Sequence, residues 1–105
     1  MTIAEIQPIL QQKLQKICSN VYFEPPESVK LKYPCILYYA DAPFRNHGNN
    51  TTYITRHKFN VTIKDRSALS TLPDRFEDVF GGDCNLDRHF VDGDLHQWSY
   101  TLYFH

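Results

Sequence analysis

Residues 53–64 read YITRHKFNVTIK, and this stretch decides the fold class. In an extended chain, one side of it carries Tyr53, His57, Phe59, Val61 and Ile63. The other side carries Ile54, Arg56, Lys58, Asn60, Thr62 and Lys64. Alternation with a period of two is typical of a strand that has one buried side and one wet side. The stretch therefore predicts a long strand in a sheet with a polar face.

Two further strand candidates precede this one. The first is the short run 21–24, which Pro25 and Pro26 close. The second covers 35–39 and follows Pro34, a residue that is tolerated as the first of a strand. The chain is polar from 41 to 52, which is long for a loop in a small domain. We expect the second and third strands to pair as a long hairpin with this extended polar loop at its tip.

A helix is predicted at the N-terminus, within residues 2–20. Apolar side chains recur there with helical spacing, at Ile6, Ile9, Leu10, Leu14 and Ile17. Pro8 interrupts the pattern, because an interior proline loses a hydrogen bond and clashes with the preceding turn. We expect either a helix that begins near Gln7 or a kink at Pro8, with residues 8–18 helical in both cases.

Downstream, residues 71–80 predict a short helix that Gly81 and Gly82 end. The runs 86–91 and 95–104 flank Asp92-Gly93-Asp94 and predict a terminal hairpin. The order of elements predicts a single α+β domain over residues 1–105. Its sheet has four or five strands, antiparallel or mixed, and both helices pack on one face.

Composition narrows the functional class. The net charge is −1, which argues against a DNA-binding module that works by overall charge. Arg45, Arg56, Lys58 and Lys64 still form a modest basic group, which we interpret as a solvated face. No stretch has the roughly 18 apolar residues of a membrane span, and the N-terminus lacks the pattern of a signal peptide. We therefore expect a cytosolic protein with no membrane contact.

None of the candidate reactive groups has the spacing of a catalytic or metal site. Cys18, Cys35 and Cys84 are widely separated, without a CxxC pair, and read as reduced, buried side chains. His89 and His96 lie on opposite arms of the predicted hairpin and are interpreted as surface histidines of strands. The carboxylates near Gly93 lack the register of a calcium loop. We predict no enzyme activity, no cofactor and no metal.

Three segments resemble a known family of proteins. They are YPCILYY at 33–39, YITRHKFNVTIKDR at 53–66 and CNLDRHFVDGDLHQWSYTLYF at 84–104. In this order, with a polar Asn-rich loop after the first, they resemble the tail-terminator and tail-completion (head–tail joining) proteins of tailed bacteriophages. The chain departs from the family pattern at residues 67–70, where the family has a turn of the form dPdS.

The resemblance implies a structural role. Such proteins form a ring, typically a hexamer, at the head-proximal end of the tail tube. The ring ends tube polymerisation and docks on the connector of the head. The implied partners are other copies of the chain, the tail tube protein and the head–tail connector or stopper protein, with passive contact to DNA in the lumen. The implied location is the neck of the virion, assembled in the cytoplasm of the host bacterium.

We expect the subunit and partner contacts in the strands at 33–39 and 53–66, in the loop 41–52 between them and in the aromatic C-terminal strand. The candidate interface residues are Phe44, Arg45, Asn46, His47, Asn49, Asn50, Tyr53, Arg56, Lys58, Trp98, Tyr100 and Tyr103. Two alternatives remain open. One is another neck component, such as a head-completion adaptor or stopper. The other is a small ligand-binding or regulatory domain of ferredoxin-like build.

Overall fold

Two helices and five strands make up the computed structural model, which describes residues 3–26, 28–40 and 57–104. The helices are α1 (Ile3–Gln15) and α2 (Leu72–Phe80), and a 3-10 turn (Gly81–Asp83) follows α2. The strands are β1 (Val21–Phe23), β2 (Cys35–Ala40), β3 (His57–Asp65), β4 (Cys84–Asp92) and β5 (Leu95–Phe104). The predicted α+β class is confirmed.

The strands form one mixed sheet in the order β1-β2-β3-β5-β4. β1 runs parallel to β2, and the other neighbours are antiparallel. β2 and β3 pair along the whole of β2, from Cys35 opposite Lys64 to Ala40 opposite Phe59. This confirms the predicted pairing of the second and third strands. The loop predicted at 41–52 lies outside the described residues.

Both helices pack on one face of the sheet, and an apolar core fills the space between the helices and the sheet. The core comprises Ile6, Leu10, Leu14, Ile17, Cys18, Ile36, Tyr38, Phe59, Val61, Ile63, Leu72, Phe76, Phe80, Trp98, Tyr100 and Leu102. The alternation that predicted β3 therefore gives the correct buried side. The ring of Phe76 lies 4.7 Å from the ring of Tyr100 and 4.8 Å from that of Phe80. Aromatic pairs at this spacing add stability beyond the area that they bury.

A polar clamp joins α1 to the sheet. Tyr38 of β2 has no exposed surface, and its hydroxyl reaches the edge of the core beside α1. Gln7 donates a hydrogen bond to this hydroxyl over 2.9 Å, and the hydroxyl donates to Oε1 of Gln11. The two glutamines are four residues apart and so lie on one side of the helix. The clamp fixes which side of α1 faces the sheet.

The predicted end of α1 needs correction, and of the two alternatives for its start the one near Gln7 is wrong. The helix begins at Ile3 and continues through Pro8, which stands inside it. It ends at Gln15 and not at residue 18. The backbone N–H groups of Ile17 and Cys18 both donate to the carbonyl of Leu14, so the chain turns there. This turn keeps Ile17 and Cys18 in the core while leading the chain into β1.

The start of the third strand, predicted at residue 53, lies outside the described residues; the other bounds of the remaining elements agree with prediction to within two residues. α2 has Pro73 in its first turn, and Gly81 follows its last residue with φ 55°. The hairpin of β4 and β5 turns at Gly93 and Asp94, and Gly93 has φ +66°. A glycine with positive φ at the first position of a two-residue loop is typical of a type II′ turn. Among the described residues, no helix is long and apolar enough to cross a membrane.

Candidate assembly surface

The second face of the sheet faces away from the helices. Because side chains alternate along each strand, residues between the core positions point to this face. We call it the open face, and it comprises Cys35, Leu37, Tyr39, Lys58, Asn60, Thr62, Lys64, Asn85, Asp87, Arg88, Phe90, Asp92, Leu95, Gln97, Ser99, Thr101 and Tyr103. Most of these side chains are exposed or half-buried. The described structure thus leaves much of one broad side of the sheet available for contact.

A β-bulge in β4 decides which side chains of that strand belong to the open face. Leu86 pairs with Tyr100, but Arg88 and not Asp87 pairs with Ser99, so Asp87 is an extra residue. A bulge of this kind re-aims the side chains that follow it. Because of the bulge, Arg88 and Phe90 point to the open face and His89 points to the helix side. Without it, His89 would point to the open face, and Arg88 and Phe90 to the helix side.

The carboxylate of Asp87 is held in place by its neighbours. The Thr101 hydroxyl donates to Oδ2 over 2.6 Å, and the Asn85 amide donates to Oδ1 over 3.4 Å. Arg88, next in the chain, lies with its guanidinium 5.3 Å from the centre of the Phe90 ring, which is within cation–π range. The bulge therefore fixes an acidic and a basic group side by side.

A shallow groove crosses the open face between β2 and β4. It consists of two adjoining depressions of about 280 and 230 Å³. Thr62, Arg88 and Ser99 line both of them, Asp87 lines the first, and Phe90 lines the second. The walls mix charged, hydroxyl and aromatic groups. Such a lining suits a polypeptide or another polar surface better than an apolar small molecule.

The charge of the open face is positive. Lys58, Lys64 and Arg88 lie on it, against the carboxylates of Asp87 and Asp92 among the described residues, which leaves a small basic excess. The whole chain has a net charge of −1, so this side of the sheet is slightly more basic than the chain as a whole. An acidic partner surface or the backbone of a nucleic acid is complementary to it.

The outer edge of β4 is the second feature that favours assembly. β4 is the last strand of the sheet, and eight of its nine residues are exposed. Leu86, Phe90 and Val91 are large apolar residues on it that are 45%, 38% and 51% exposed. An edge strand of this length presents unpaired N–H and C=O groups that can add a strand from another chain. The opposite edge, β1, is only three residues long.

The structure separates the sequence-predicted interface residues into three groups. Lys58 and Tyr103 lie on the open face. Trp98 and Tyr100 are 8% and 1% exposed and belong to the core, so their prediction as contact residues is wrong. Alternation along β5 points them to the helix side of the sheet, where the Tyr100 hydroxyl donates to Oε2 of Glu77 over 2.7 Å.

The other predicted contact residues lie outside the described part of the chain. They are Phe44, Arg45, Asn46, His47, Asn49, Asn50, Tyr53 and Arg56. Conversely, sequence reasoning missed Leu86, Arg88, Phe90 and Val91 as surface residues. An apolar side chain on a strand reads as core, and no pattern in the sequence marks β4 as the edge.

The cysteines have little nucleophilic character in this fold. Burial raises the pKa of the Cys35 thiol to about 11, and it also raises the pKa of Cys18 and of Cys84. A reactive cysteine needs the opposite shift, because the thiolate is the nucleophile. Within the described ranges, no group of three or more His, Cys, Asp or Glu side chains is arranged to hold a metal ion.

Comparison with known proteins gives no family. No family model matches the chain, and no curated protein matches it significantly. The class that the fold and the surface define is an α+β domain whose mixed sheet has an open face with a small basic excess and a long exposed edge strand.

Proposed function

We propose that this chain is a structural subunit of the neck of a tailed bacteriophage. Copies of it form a ring at the head-proximal end of the tail tube, where the ring ends tube polymerisation and joins the tail to the head connector. The subunit is made in the cytoplasm of the host bacterium and resides in the virion. The resemblance of residues 33–39, 53–66 and 84–104 to tail-terminator proteins suggests this role.

The observation that carries the proposal is the exposed edge of β4. A closed ring is built from head-to-tail contacts, and each subunit needs two different complementary patches for them. The sheet offers two different edges at opposite ends, β4 and β1. A neighbour that docks on β4 satisfies its backbone groups and covers Leu86, Phe90 and Val91. The positive open face is then a natural surface for the tube, the connector or the DNA in the lumen.

Light-scattering mass measurements on matched variants test this role of β4. A hexamer of 12.4 kDa subunits weighs about 74 kDa. Val91→Lys and Leu86→Lys place charge on exposed positions of the edge strand, so we expect them to shift the mass to that of the single subunit. Leu69→Lys is the control, because Leu69 is 89% exposed in a loop away from the sheet edge. If all three variants assembled equally well, β4 would not be part of the contact between subunits.

Other neck components share the same surface requirements. A head-completion adaptor or stopper also forms rings, and only the partner distinguishes it from a tail terminator. Mixing the chain with purified tail tubes and, separately, with purified connectors separates the two roles. Binding to the tube end supports the terminator, whereas binding to the connector alone supports the adaptor.

The groove on the open face favours a second class of function, a small ligand-binding domain. Its two depressions are large enough for a small polar ligand. A thermal-shift screen of metabolites tests this alternative, because a ligand that binds only the folded state raises the melting temperature. A hit whose effect Arg88→Ala removes would favour the ligand-binding domain over the neck subunit.

A further inference from the structure

Three aromatic rings stack on the β4–β5 hairpin, on the same side of the sheet as the helices. His89 of β4 is the register partner of Trp98 of β5, and their rings lie 4.7 Å apart with 5° between the planes. His96 lies two residues before Trp98 on the same strand. Its ring centre is 5.6 Å from that of His89 and 5.9 Å from that of Trp98. The stack holds both imidazoles in defined orientations.

The two imidazoles bring one nitrogen each to a short separation. Nε2 of His89 lies 3.4 Å from Nδ1 of His96, so without a metal ion one of these nitrogens carries a proton and donates a hydrogen bond to the other. A metal ion bound by both nitrogens displaces that proton. A tetrahedral metal ion binds imidazole nitrogens at about 2.0–2.1 Å, which puts two of its nitrogen ligands about 3.3–3.4 Å apart. The distance between the two nitrogens therefore matches the nitrogen–nitrogen distance in a tetrahedral site with two imidazole ligands.

We propose that His89 and His96 form a binding site for a divalent first-row transition metal. The spacing fits the tetrahedral geometry of Zn²⁺. Cu²⁺, which prefers a square-planar or tetragonal site, binds nitrogen ligands more tightly and serves as the sensitive probe. The described residues provide no group of three ligands, so water fills the other coordination positions. The site is independent of the proposed neck function and of the β4 edge contact.

The fold favours this site in two ways beyond the distance. His89 and His96 are neighbours across an antiparallel ladder, so backbone pairing brings them together before any metal binds. Asp65 of β3 is the register partner of His96 and, by alternation, belongs to the same side of the sheet. Its negative charge favours a cation nearby, while its Oδ1 accepts a hydrogen bond from the backbone N–H of Ser67 over 3.1 Å.

Trp98 supplies the readout for a direct test. It is the only tryptophan of the chain and stacks on His89, and Cu²⁺ quenches tryptophan fluorescence at contact range. Titration of the purified chain with Cu²⁺ should give saturable quenching with one ion per subunit. His89→Ala and His96→Ala should each weaken the apparent affinity by about tenfold or more, because each leaves a single imidazole. His57→Ala, on β3, is the matched control and should leave it unchanged.

A second measurement is needed because His89→Ala also removes the ring that stacks on Trp98, which can change the fluorescence without any change in metal binding. Zn²⁺ is diamagnetic, so two-dimensional NMR of the histidine side chains follows each ring nitrogen directly. Zn²⁺ should shift Nε2 of His89 and Nδ1 of His96 together, with one midpoint. Shifts at other histidines alone, or Cu²⁺ quenching of equal affinity in the double variant His89→Ala/His96→Ala, would overturn the proposal.

Discussion

Tyr38→Phe isolates the clamp between α1 and the sheet. The substitution removes one oxygen atom and leaves the ring in the core, where it lies 4.8 Å from Phe23 and 6.3 Å from Phe59. Two hydrogen bonds disappear, the one that the hydroxyl accepts from Gln7 and the one that it donates to Gln11. Apolar burial is otherwise unchanged, so the loss of stability measures these two bonds.

The structure sets the size of the effect. A hydrogen bond contributes about 0.5–1.5 kcal/mol net, and both glutamines are half-buried, so water replaces part of each lost contact. We expect the free energy of unfolding to fall by about 1–2 kcal/mol. For a domain of this size that corresponds to a melting temperature lower by roughly 4–16 °C. Urea unfolding at constant m-value gives the free energy, and thermal unfolding gives the temperature.

Tyr39→Phe is the matched control. Tyr39 is the next residue of β2, points to the open face and is 40% exposed, so its hydroxyl is accessible to water. We expect a change within about 0.5 kcal/mol. A double-mutant cycle adds Gln11→Ala, which should cost less in the Tyr38→Phe background than in the unmodified chain. Equal costs in both backgrounds, or a Tyr38→Phe protein as stable as the unmodified one, would refute the clamp.

Three further predictions concern the turn, the core and pH. Gly93→Ala should destabilise the fold by about 1 kcal/mol, because φ is +66° there, whereas Gly82→Ala, at ordinary φ, should be close to neutral in urea unfolding. Phe76→Ala should cost about 3–5 kcal/mol in the same assay, because the ring is fully buried, and Val79→Ala on the exposed side of α2 should cost far less. Burial raises the pKa of Cys35 from 9.0 to about 11, so across this window the unfolded chain has lost a proton that the folded chain retains. Stability therefore falls as pH rises through the window, by up to about 1.4 kcal/mol per pH unit, and Cys35→Ala should flatten that slope in unfolding measured from pH 8 to 11. An identical slope with and without Cys35 would contradict this assignment.

The sequence predicted the long strands well because their alternation reflects burial on one side of a sheet. Phe59, Val61 and Ile63 are in the core, and the polar residues between them belong to the open face. It did not reveal that β1 is parallel to β2, because alternation carries no information about strand direction. The end of α1 was also misplaced, since the apolar spacing of Leu14, Ile17 and Cys18 fits either a helix or a turn that buries the same side chains.

The candidate surface was predicted less well than the fold. Lys58 and Tyr103 were expected as contact residues and lie on the open face, but Trp98 and Tyr100 are buried on the helix side of the sheet. Aromatic residues on a strand are equally typical of an interface and of a core, and only packing distinguishes the two. The bulge at Asp87 has no signature in the sequence, although it places Arg88 and Phe90 on the open face.

Electron microscopy of the chain mixed with tail tubes tests the central proposal most directly. Negative-stain images of the purified chain, alone and added to polymerising tail-tube protein, show both ring formation and its effect on tube length. The proposed function predicts rings of several subunits that sit at one end of each tube and stop its growth. Single 12.4 kDa particles that neither form rings nor bind a tube end, with tubes of unchanged length, would contradict it.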